Sequence, residues 1–262
     1  MKQHQISIII PILNEAATIG KLLQYLTANS SEKNIAEIII VDGESTDGSK
    51  KIINNFVLSS DSVESELYRE GDDKGLNTFQ QSENTRSVIL LLNSAKGRAK
   101  QMNIGAKSAT GNILYFLHAD SCPPKHFDTY IIQEIKKGNE AGCFKIKFDL
   151  NHWWLQLAGW LTQFNWRACR GGDQSQFISK TLFEDIGGYD ENYIIYEDNI
   201  LINELFKRKQ FVVIKKSLIT SSRLYKRVGI WKLQYHFWAI YVKRWFGASP
   251  EELHHYYKKN IA

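Results

Sequence analysis

The chain has 262 residues, of which 43% are hydrophobic and 12% aromatic; this fits one large folded domain and excludes global disorder. Its three cysteines are odd in number and widely spaced, which argues against a disulfide framework or a zinc site and favours inert thiols in a reducing cytoplasm. Residues 207–262 contain 13 Lys and Arg against 2 Asp and Glu, a net charge of +11 within an overall +5, and this asymmetry favours an anionic surface as partner.

The first half of the chain predicts strands and helices in alternation, which is typical of an α/β protein with a parallel sheet. Apolar runs predict four strands, at 6–13, 36–43, 87–94 and 111–120. Asn14 is expected to cap the first helix with Glu15 in its first turn, and Gly97 to open the third helix. Residues 59–86, between the second and third predicted strands, are polar and acidic, and they predict a surface insertion.

The second half of the chain is less regular. It predicts a half-buried strand at 141–149, an aromatic helix at 153–166, a helix entered at Glu197 and Asp198, and a last strand at 210–216. We therefore expect an α/β domain over 1–222, which includes the insertion, and a basic, aromatic helical tail over 223–262. No apolar run of about 20 uncharged residues occurs in the sequence, so no membrane-spanning helix and no secretory signal are expected.

Polar residues end the fourth predicted strand, in the stretch L-H-A-D. His118 and Asp120 are two residues apart, so on a strand they point the same way, and ligands bind at strand ends in such folds. A carboxylate there can ligate Mg²⁺ or Mn²⁺, which in turn bridges a diphosphate, and imidazole is an acceptable ligand for Mn²⁺. The alternative is that His118 is packed in the core and Asp120 caps a loop.

Two further polar positions lie beside predicted strands. Asp42 ends the second strand, where its carboxylate could accept an N–H from a nucleobase edge; the alternative is an ordinary turn. Arg98 begins a helix, where a cation opposes the helix dipole unless an anion such as a phosphate docks there; the alternative is a solvated side chain.

Carboxylates also occur at a helix start and in a glycine-flanked loop of the second half. Glu197 and Asp198 are adjacent, and their mutual repulsion favours protonation of one of them, which suits a general base. Helix capping by Asp198 is the alternative. Asp173 and Gln174 lie in a loop that can approach a sugar closely, or that simply forms a turn.

The order of these motifs is more specific than any one of them. P-x-L-N-E is followed by V-D-G-x-S-T-D-G-S, G-R-A-x-Q-M-N-x-G-A, L-H-A-D, G-D-Q, and G-G-Y-D-E-N with E-D. From residue 6 to about 257, apart from the insertion, the chain resembles the family 2 glycosyltransferases of the GT-A fold, and among them a bacterial subgroup marked by G-R-A-x-Q-M-N and L-H-A-D. The resemblance implies a Rossmann-like, mostly parallel sheet flanked by helices. It also implies transfer of a sugar, with inversion, from a UDP- or GDP-linked donor to a hydroxyl acceptor.

The resemblance further implies a role for individual residues. Asp120, with His118 beside it, would hold Mn²⁺ or Mg²⁺, and Asp198, with Glu197 beside it, would deprotonate the acceptor hydroxyl. The donor-binding residues would be Pro11, Asn14, Glu15, Asp42, Arg98, Asn103, His118 and Arg223. The residues facing the donor sugar or the acceptor would be Asp173 and Gln174.

The sequence departs from the pattern of the wider family at two places. His118 stands where the family's D-x-D motif has its first carboxylate. The Q-x-x-R-W element is absent, and S-S-R-L-Y-K-R occupies the corresponding region, with Arg223 as the expected diphosphate contact. The missing element and the lack of a spanning helix argue against a processive polysaccharide synthase.

The tail predicts an amphipathic helix with an aromatic stripe. The stripe consists of Trp231, Tyr235, Trp238, Val242 and Trp245, and a second face carries Lys232, His236 and Lys243. Such a helix is typical of a membrane surface; packing on the domain or at a homodimer seam is the alternative. The membrane reading predicts a cytoplasmic protein, peripheral at the inner face of the cell membrane, with a lipid or lipid-linked acceptor. No nucleic-acid partner is expected, because no binding motif accompanies the charge.

Two other functions fit part of the pattern. A nucleotidyltransferase of similar build usually carries a Gly-rich loop directly after the first strand, and P-I-L-N-E-A-A-T contains none. A catalytically silent nucleotide-binding or scaffold protein would keep the fold without the transfer activity.

Overall fold

A computed structural model describes residues 4–67, 88–171 and 174–262 of the chain. The insertion predicted at 59–86 lies largely outside these residues, and its first part, through Leu67, continues the backbone of the second helix. Asp173 also lies outside the described residues.

A mixed sheet of eight strands forms the centre of the described part of the chain. The strands are β1 (Ile6–Ile12), β2 (Ile35–Asp42), β3 (Val88–Asn93), β4 (Ile113–Phe116), β5 (Ser121–Cys122), β6 (Ala141–Phe148), β7 (Gln176–Ser179) and β8 (Val212–Thr220). Their order is β3-β2-β1-β4-β7-β6-β8-β5. The four strands at the β3 end are parallel to one another, β7 runs antiparallel to β4 and β6, and β8 is parallel to β6.

Helices cover both faces of the sheet. They are α1 (Ile19–Asn29), α2 (Ser49–Leu67), α3 (Arg98–Ser108), α4 (Phe127–Lys136), α5 (Trp153–Leu161), α6 (Lys180–Ile186), α7 (Glu197–Lys207), α8 (Arg223–Val228), α9 (Ile230–Trp245) and α10 (Pro250–Asn260). All of β1 is buried, and its side chains alternate between two cores. Ile8 and Ile10 face the core that contains α1 and α4, whereas Ile9 faces the core that contains α3 and α7. The predicted strand buried on both faces is therefore confirmed.

Helix α3 lies unusually close to the sheet because of a glycine. A Cβ added at Gly105 would lie 2.5 Å from Cγ2 of Ile9, so a larger residue would push the helix outward. The glycine thus fixes the distance of α3 from the sheet, and with it the position of Arg98 at the helix start.

Several predicted boundaries differ from the structure. The fourth strand ends at Phe116, so His118 and Asp120 lie in the turn that follows and the same-face argument does not apply to them. The first helix begins at Ile19 after Thr18, so the expected capping by Asn14 is wrong. Helices α4 and α6 were not predicted, because turn-forming residues flank both segments and mask their apolar pattern.

The helices of the tail pack on the domain through a third apolar cluster. Leu233, Ile240 and Leu253 are buried in it together with Leu155 and Tyr193. The predicted stripe of α9 is exposed: its members Trp231, Tyr235, Trp238, Val242 and Trp245 are 49% to 83% exposed. Among the described residues, the helices are all too short or too polar to cross a bilayer.

The face predicted to be polar on α9 requires a correction. His236 was expected beside the exposed lysines, but it is buried, and its Nδ1 lies 2.9 Å from the hydroxyl of Tyr256 on α10. The histidine therefore joins α9 to α10 rather than facing solvent.

Candidate functional site

The loops that follow β1 and β4 lie at the topological switch point of the sheet. From β1 the chain passes through α1 to β2 on one side, and from β3 it passes through α3 to β4 on the other side of β1. Loops that diverge in this way leave a crevice at the carboxyl ends of the strands, where ligands bind in open α/β sheets. Glu15 and Asp120 lie in these two loops.

Arg223 joins these two acidic residues. Its guanidinium donates to both carboxylate oxygens of Glu15, at 2.7 and 3.2 Å, and its Nη2 lies 3.7 Å from Oδ2 of Asp120. The Arg223 side chain is 57% exposed, so its remaining donors can reach a ligand in the crevice. The structure thus brings together three residues that are up to 208 positions apart and that the sequence assigned separately to the donor and the metal.

The loop after β1 is fixed to the loop after β2. Asn14 has φ of 58°, its N–H donates to Ser45 Oγ at 2.8 Å, and its side-chain oxygen accepts from Thr46 N–H at 2.8 Å. Asparagine tolerates this left-handed conformation better than most residues. Pro11 lies in β1, opposite Val41 of β2, and is buried. Asn14 therefore holds the loop after β1, which borders the crevice, against the loop after β2.

Asp42 is fully buried at the end of β2. Its carboxylate accepts hydrogen bonds from the backbone N–H groups of Glu44 and Ser45 and lies 3.1 Å from Nζ of Lys50. Burial by itself would raise the pKa of Asp42, but the bonds from Ser45 and Lys50 hold that pKa below its ordinary value. The contact of this carboxylate with a nucleobase stays a prediction.

Arg98 lies beside the acidic pair at the start of α7. Its Nε donates to Oε1 of Glu197, and its Nη2 lies 3.4 Å from Oδ2 of Asp198. The sequence predicted that an anion docks at this helix start, and this carboxylate pair lies there. A contact of Arg98 with the donor stays a prediction. The N-cap of α7 is Tyr196, with φ of 74°, so Asp198 lies in the first turn and is not the cap.

The two carboxylates differ in what they can reach. Glu197 is fully buried, and its Oε2 has no hydrogen-bond partner among the described residues. Asp198 is 6% exposed and, with Arg98, lines a cavity of about 1230 Å³. Asp198 is therefore the carboxylate of the pair that a substrate in this cavity can contact.

Asn103 and Gln174 both make hydrogen bonds within the protein. The Asn103 amide donates to the Tyr189 carbonyl and accepts from the Tyr189 N–H, so it holds the turn before α7, and its contact with the donor stays a prediction. Gln174 is 6% exposed and lines the cavity, but its side-chain oxygen accepts from Arg170 at 3.2 Å. Gln101, to which no role was predicted, donates to the carbonyls at the ends of β1 and β2.

His118 and Asp120 stand in the turn after β4, and both are partly exposed. No group of three or more His, Cys, Asp or Glu side chains in the described parts of the chain has the arrangement of a metal site. A divalent cation in this crevice would therefore need oxygen ligands from a bound substrate as well as from the protein.

Comparison with known proteins identifies glycosyltransferases as relatives of this chain. The family described as Glycosyl transferase family 2 matches residues 7–189. Glycosyltransferase AglE of Haloferax volcanii is 30% identical over 118 residues, which are 45% of this chain and 31% of AglE. The probable glycosyltransferase YdaM of Bacillus subtilis is 22% identical over 217 residues, which are 76% of this chain and 46% of YdaM. The chain thus spans less than half of the length of either relative.

Solved structures share the fold at low sequence identity. The mannosyltransferase PcManGT of Pyrobaculum calidifontis, in complex with GDP-Man and Mn²⁺, superposes with a TM-score of 0.62 at 16% identity, over 98% of this chain and 70% of that one. Residues 1–349 of S. aureus TarS, in complex with UDP, give a TM-score of 0.61 at 16% identity, over 83% and 60% of the two chains. These similarities confirm the predicted GT-A fold.

Proposed function

The chain belongs to glycosyl transferase family 2, and from this membership we propose that it transfers a sugar from a nucleotide diphosphate donor to a hydroxyl group of an acceptor. The observation that carries the proposal is the position of Asp198. This carboxylate lies at the wall of a large cavity, beside Arg98, at the edge of the sheet where the parallel strands end. A base in this place can meet an acceptor that enters from the cavity side.

The donor would bind in the crevice between the loops after β1 and β4. Arg223 is the cation best placed for the diphosphate, because it is exposed and already lies between Glu15 and Asp120. Asn14 and Pro11 would form the nucleotide side of the crevice, where the loops meet. PcManGT was solved with GDP-Man and TarS with UDP, which supports a nucleotide-sugar donor. Both GDP and UDP therefore have to be tested as ligands of this chain.

Asp120 and His118 fit a divalent cation that is shared with the donor. The side chain of Asp120 is 26% exposed, so its carboxylate is accessible from the crevice. Mg²⁺ and Mn²⁺ at phosphates are usually held by one or two carboxylates, with phosphate oxygens and waters completing the shell. Such a cation would stabilise the negative charge that develops on the diphosphate.

The transfer would be a single displacement at the anomeric carbon of the donor sugar. The acceptor oxygen forms a bond to that carbon while the bond from the carbon to the diphosphate oxygen breaks, and the configuration inverts. The acceptor proton passes to Asp198, and the nucleoside diphosphate leaves with its electron pair. Arg98 would hold Asp198 in position for this role.

The exposed aromatic residues support a position at a membrane surface. All seven tryptophans of the chain lie between residues 153 and 245, on α5, on α9 and just after α5. Six of them are more than half exposed: Trp153, Trp160, Trp166, Trp231, Trp238 and Trp245. We call the surface of these six tryptophans, together with the exposed Tyr235 and Phe246, the aromatic face. Exposed tryptophans beside a basic segment are typical of proteins that bind anionic bilayers, so we propose a peripheral protein with a lipid or lipid-linked acceptor.

Calorimetric titration of UDP and of GDP, each with and without Mn²⁺, tests the donor site. We expect one nucleotide to bind in a Mn²⁺-dependent manner and the Asp120→Ala variant to lose that dependence. Glu32→Gln, at an exposed position between α1 and β2, is the control and should bind like the wild type. If neither nucleotide binds under any of these conditions, the proposed donor site is wrong.

A further inference from the structure

The cavity beside Asp198 is mostly apolar and larger than a sugar requires. Its volume of about 1230 Å³ exceeds the roughly 300–1,000 Å³ of most small-molecule sites. It lies between α5, α7 and α9, and one wall is formed by the apolar side chains of Phe148, Trp154, Leu161, Phe237, Trp238 and Ile240. A hydrophilic acceptor would leave this wall without a partner, whereas a hydrocarbon chain would cover it.

Two arginines, Arg167 and Arg170, also line the cavity and have only neutral partners among the described residues. Arg167 donates to the side-chain oxygens of Asn203 and Asn199 and to the backbone carbonyls of Asn199 and Arg170. It is partly exposed and lines the cavity, so it can also donate to a ligand. Its guanidinium therefore lies beside Asn199, the residue that follows Asp198.

Arg170 lies behind Arg167 and is only 2% exposed. It donates to the carbonyls of Thr162 and Phe164, to the side chain of Gln174, and to Sγ of Cys143 at 3.0 Å, while its Nε has no partner. Burial raises the pKa of the Cys143 thiol to about 11, so this group is neutral near pH 7 and does not balance the charge. A buried cation without an opposite charge is costly, and this favours an anionic group in the ligand.

The cavity also connects with the aromatic face. Trp238, Val242 and Trp245 line the cavity, and each is at least 49% exposed. An apolar chain anchored in a bilayer could therefore pass from the membrane surface into the cavity without crossing a polar surface.

We propose that the cavity binds an anionic amphiphile as the acceptor. The apolar chain lies against the wall between α5 and α9, the anionic group lies at Arg167 with the charge of Arg170 behind it, and a hydroxyl of the same molecule reaches Asp198. This inference names the substrate class of the proposed glycosyltransferase and rests on that function. Its test therefore measures binding without a nucleotide.

The first test uses dodecyl phosphate below its micelle-forming concentration, with the intrinsic tryptophan fluorescence as the signal. We expect saturable binding, and no binding of inorganic phosphate. In Ala158→Phe a phenyl ring enters the cavity, and we expect the affinity for dodecyl phosphate to fall at least about tenfold. Leu157→Phe adds the same ring at the neighbouring, exposed position outside the cavity lining and should leave the affinity unchanged.

The second test separates the anionic group from the chain. Arg167→Gln should weaken dodecyl phosphate about tenfold and leave dodecyl maltoside, a neutral amphiphile, unchanged. Arg167→Lys retains the charge and should bind dodecyl phosphate nearly as well as the wild type. Lys232→Gln, at an exposed position of α9 outside the cavity lining, is the control for a general loss of charge.

Equal affinity for the two amphiphiles in every variant, or unchanged binding in Ala158→Phe, would overturn the inference. These outcomes are independent of the donor site. If a nucleotide binds but the amphiphile does not, only the proposed class of acceptor is wrong. If the amphiphile binds but no nucleotide does, the proposed transfer activity is wrong and the cavity is a lipid-binding site. Circular dichroism and thermal unfolding confirm that each variant is folded.

Discussion

Arg98 and Glu197 form an ion pair between the start of α3 and the start of α7, although 99 positions separate them. Glu197 is fully buried and Arg98 is 35% exposed, so the pair lies at the inner wall of the cavity. Arg98 also contacts Asp198 at 3.4 Å. One arginine thus compensates two adjacent carboxylates that would otherwise repel each other at a buried helix start.

We expect Arg98→Met to destabilise the protein, because it leaves the buried carboxylate of Glu197 without a counter-charge. Removing one partner of a buried pair costs about 3–5 kcal/mol, and the partial exposure of Arg98 lowers our expectation to about 2–3 kcal/mol. The free energy of unfolding from urea titration measures the effect. The double variant Arg98→Met, Glu197→Gln should recover at least half of the loss, and a double variant less stable than Arg98→Met alone would contradict this explanation.

The first half of the fold could be predicted from the sequence because its apolar runs are continuous and buried on both faces. The strands predicted at 6–13 and 36–43 differ from β1 and β2 by one residue at each end at most. The start of α7 at Glu197 was also predicted. The fourth strand was predicted too long, since Leu117 continues its apolar pattern and still bonds to Ile9 although the strand has ended.

The site was predicted less completely than the fold, because its residues meet through long-range contacts. The sequence indicated that Arg98 needs an anion and that Glu197 and Asp198 repel each other, but nothing in their spacing joined the two observations. The same holds for Arg223 and Glu15. The cavity could not be predicted at all, since it exists only where α5, α7 and α9 meet.

Asp198→Asn should lower the transfer rate by about 10²–10⁴ because the amide cannot accept the acceptor proton. The affinity for the donor nucleotide should stay within about threefold of the wild type, because the variant retains the shape of the side chain. A coupled assay of nucleoside diphosphate release and calorimetry measure the two quantities. Glu204→Gln, an exposed change on the same helix, is the control. Undiminished transfer by Asp198→Asn would remove Asp198 from the mechanism.

Arg223→Ala should weaken nucleotide binding about tenfold, because a charge-assisted contact to the diphosphate is lost. The same change should lower the free energy of unfolding by less than about 1 kcal/mol, since Arg223 is 57% exposed and its pair with Glu15 is screened by water. Arg227→Ala, four residues later on the same helix, removes a bond to the Ile261 carbonyl and should not change nucleotide affinity. Equal losses of affinity in both variants would argue against a diphosphate contact.

Asp42 should make the stability of the protein depend on pH at the acidic end. Its pKa in the folded state is depressed, so its contribution is present above the unfolded pKa of about 3.9 and is lost as the pH falls toward the folded value. Asp42→Asn should lower the free energy of unfolding by about 1–3 kcal/mol at pH 7, and its difference from the wild type should narrow below about pH 4. Urea titrations across this range measure the difference. Glu44→Gln, at an exposed side chain nearby, should change the stability by less than about 0.5 kcal/mol.

The aromatic face should bind the protein to anionic bilayers, and two of its residues permit a test that leaves the cavity intact. Tyr235 and Phe246 are 63% and 81% exposed and do not line the cavity. Burial of a large apolar side chain contributes about 1.5–3 kcal/mol, so Tyr235→Ala with Phe246→Ala should reduce flotation with phosphatidylcholine–phosphatidylglycerol vesicles at least about tenfold. Leu58→Ala, at an exposed leucine of α2, is the control.

The charge of the tail should appear in the same flotation experiment as a dependence on lipid and salt. With the net +11 of residues 207–262, binding to vesicles that contain phosphatidylglycerol should exceed binding to pure phosphatidylcholine and should weaken as salt is added. The aromatic contribution is apolar and should persist at high salt, so the double variant should lose the salt-resistant part of the binding. Flotation of the double variant equal to that of the wild type at high salt would show that the aromatic face does not enter the bilayer, and the exposed tryptophans would then need a protein partner, such as a second copy of the chain.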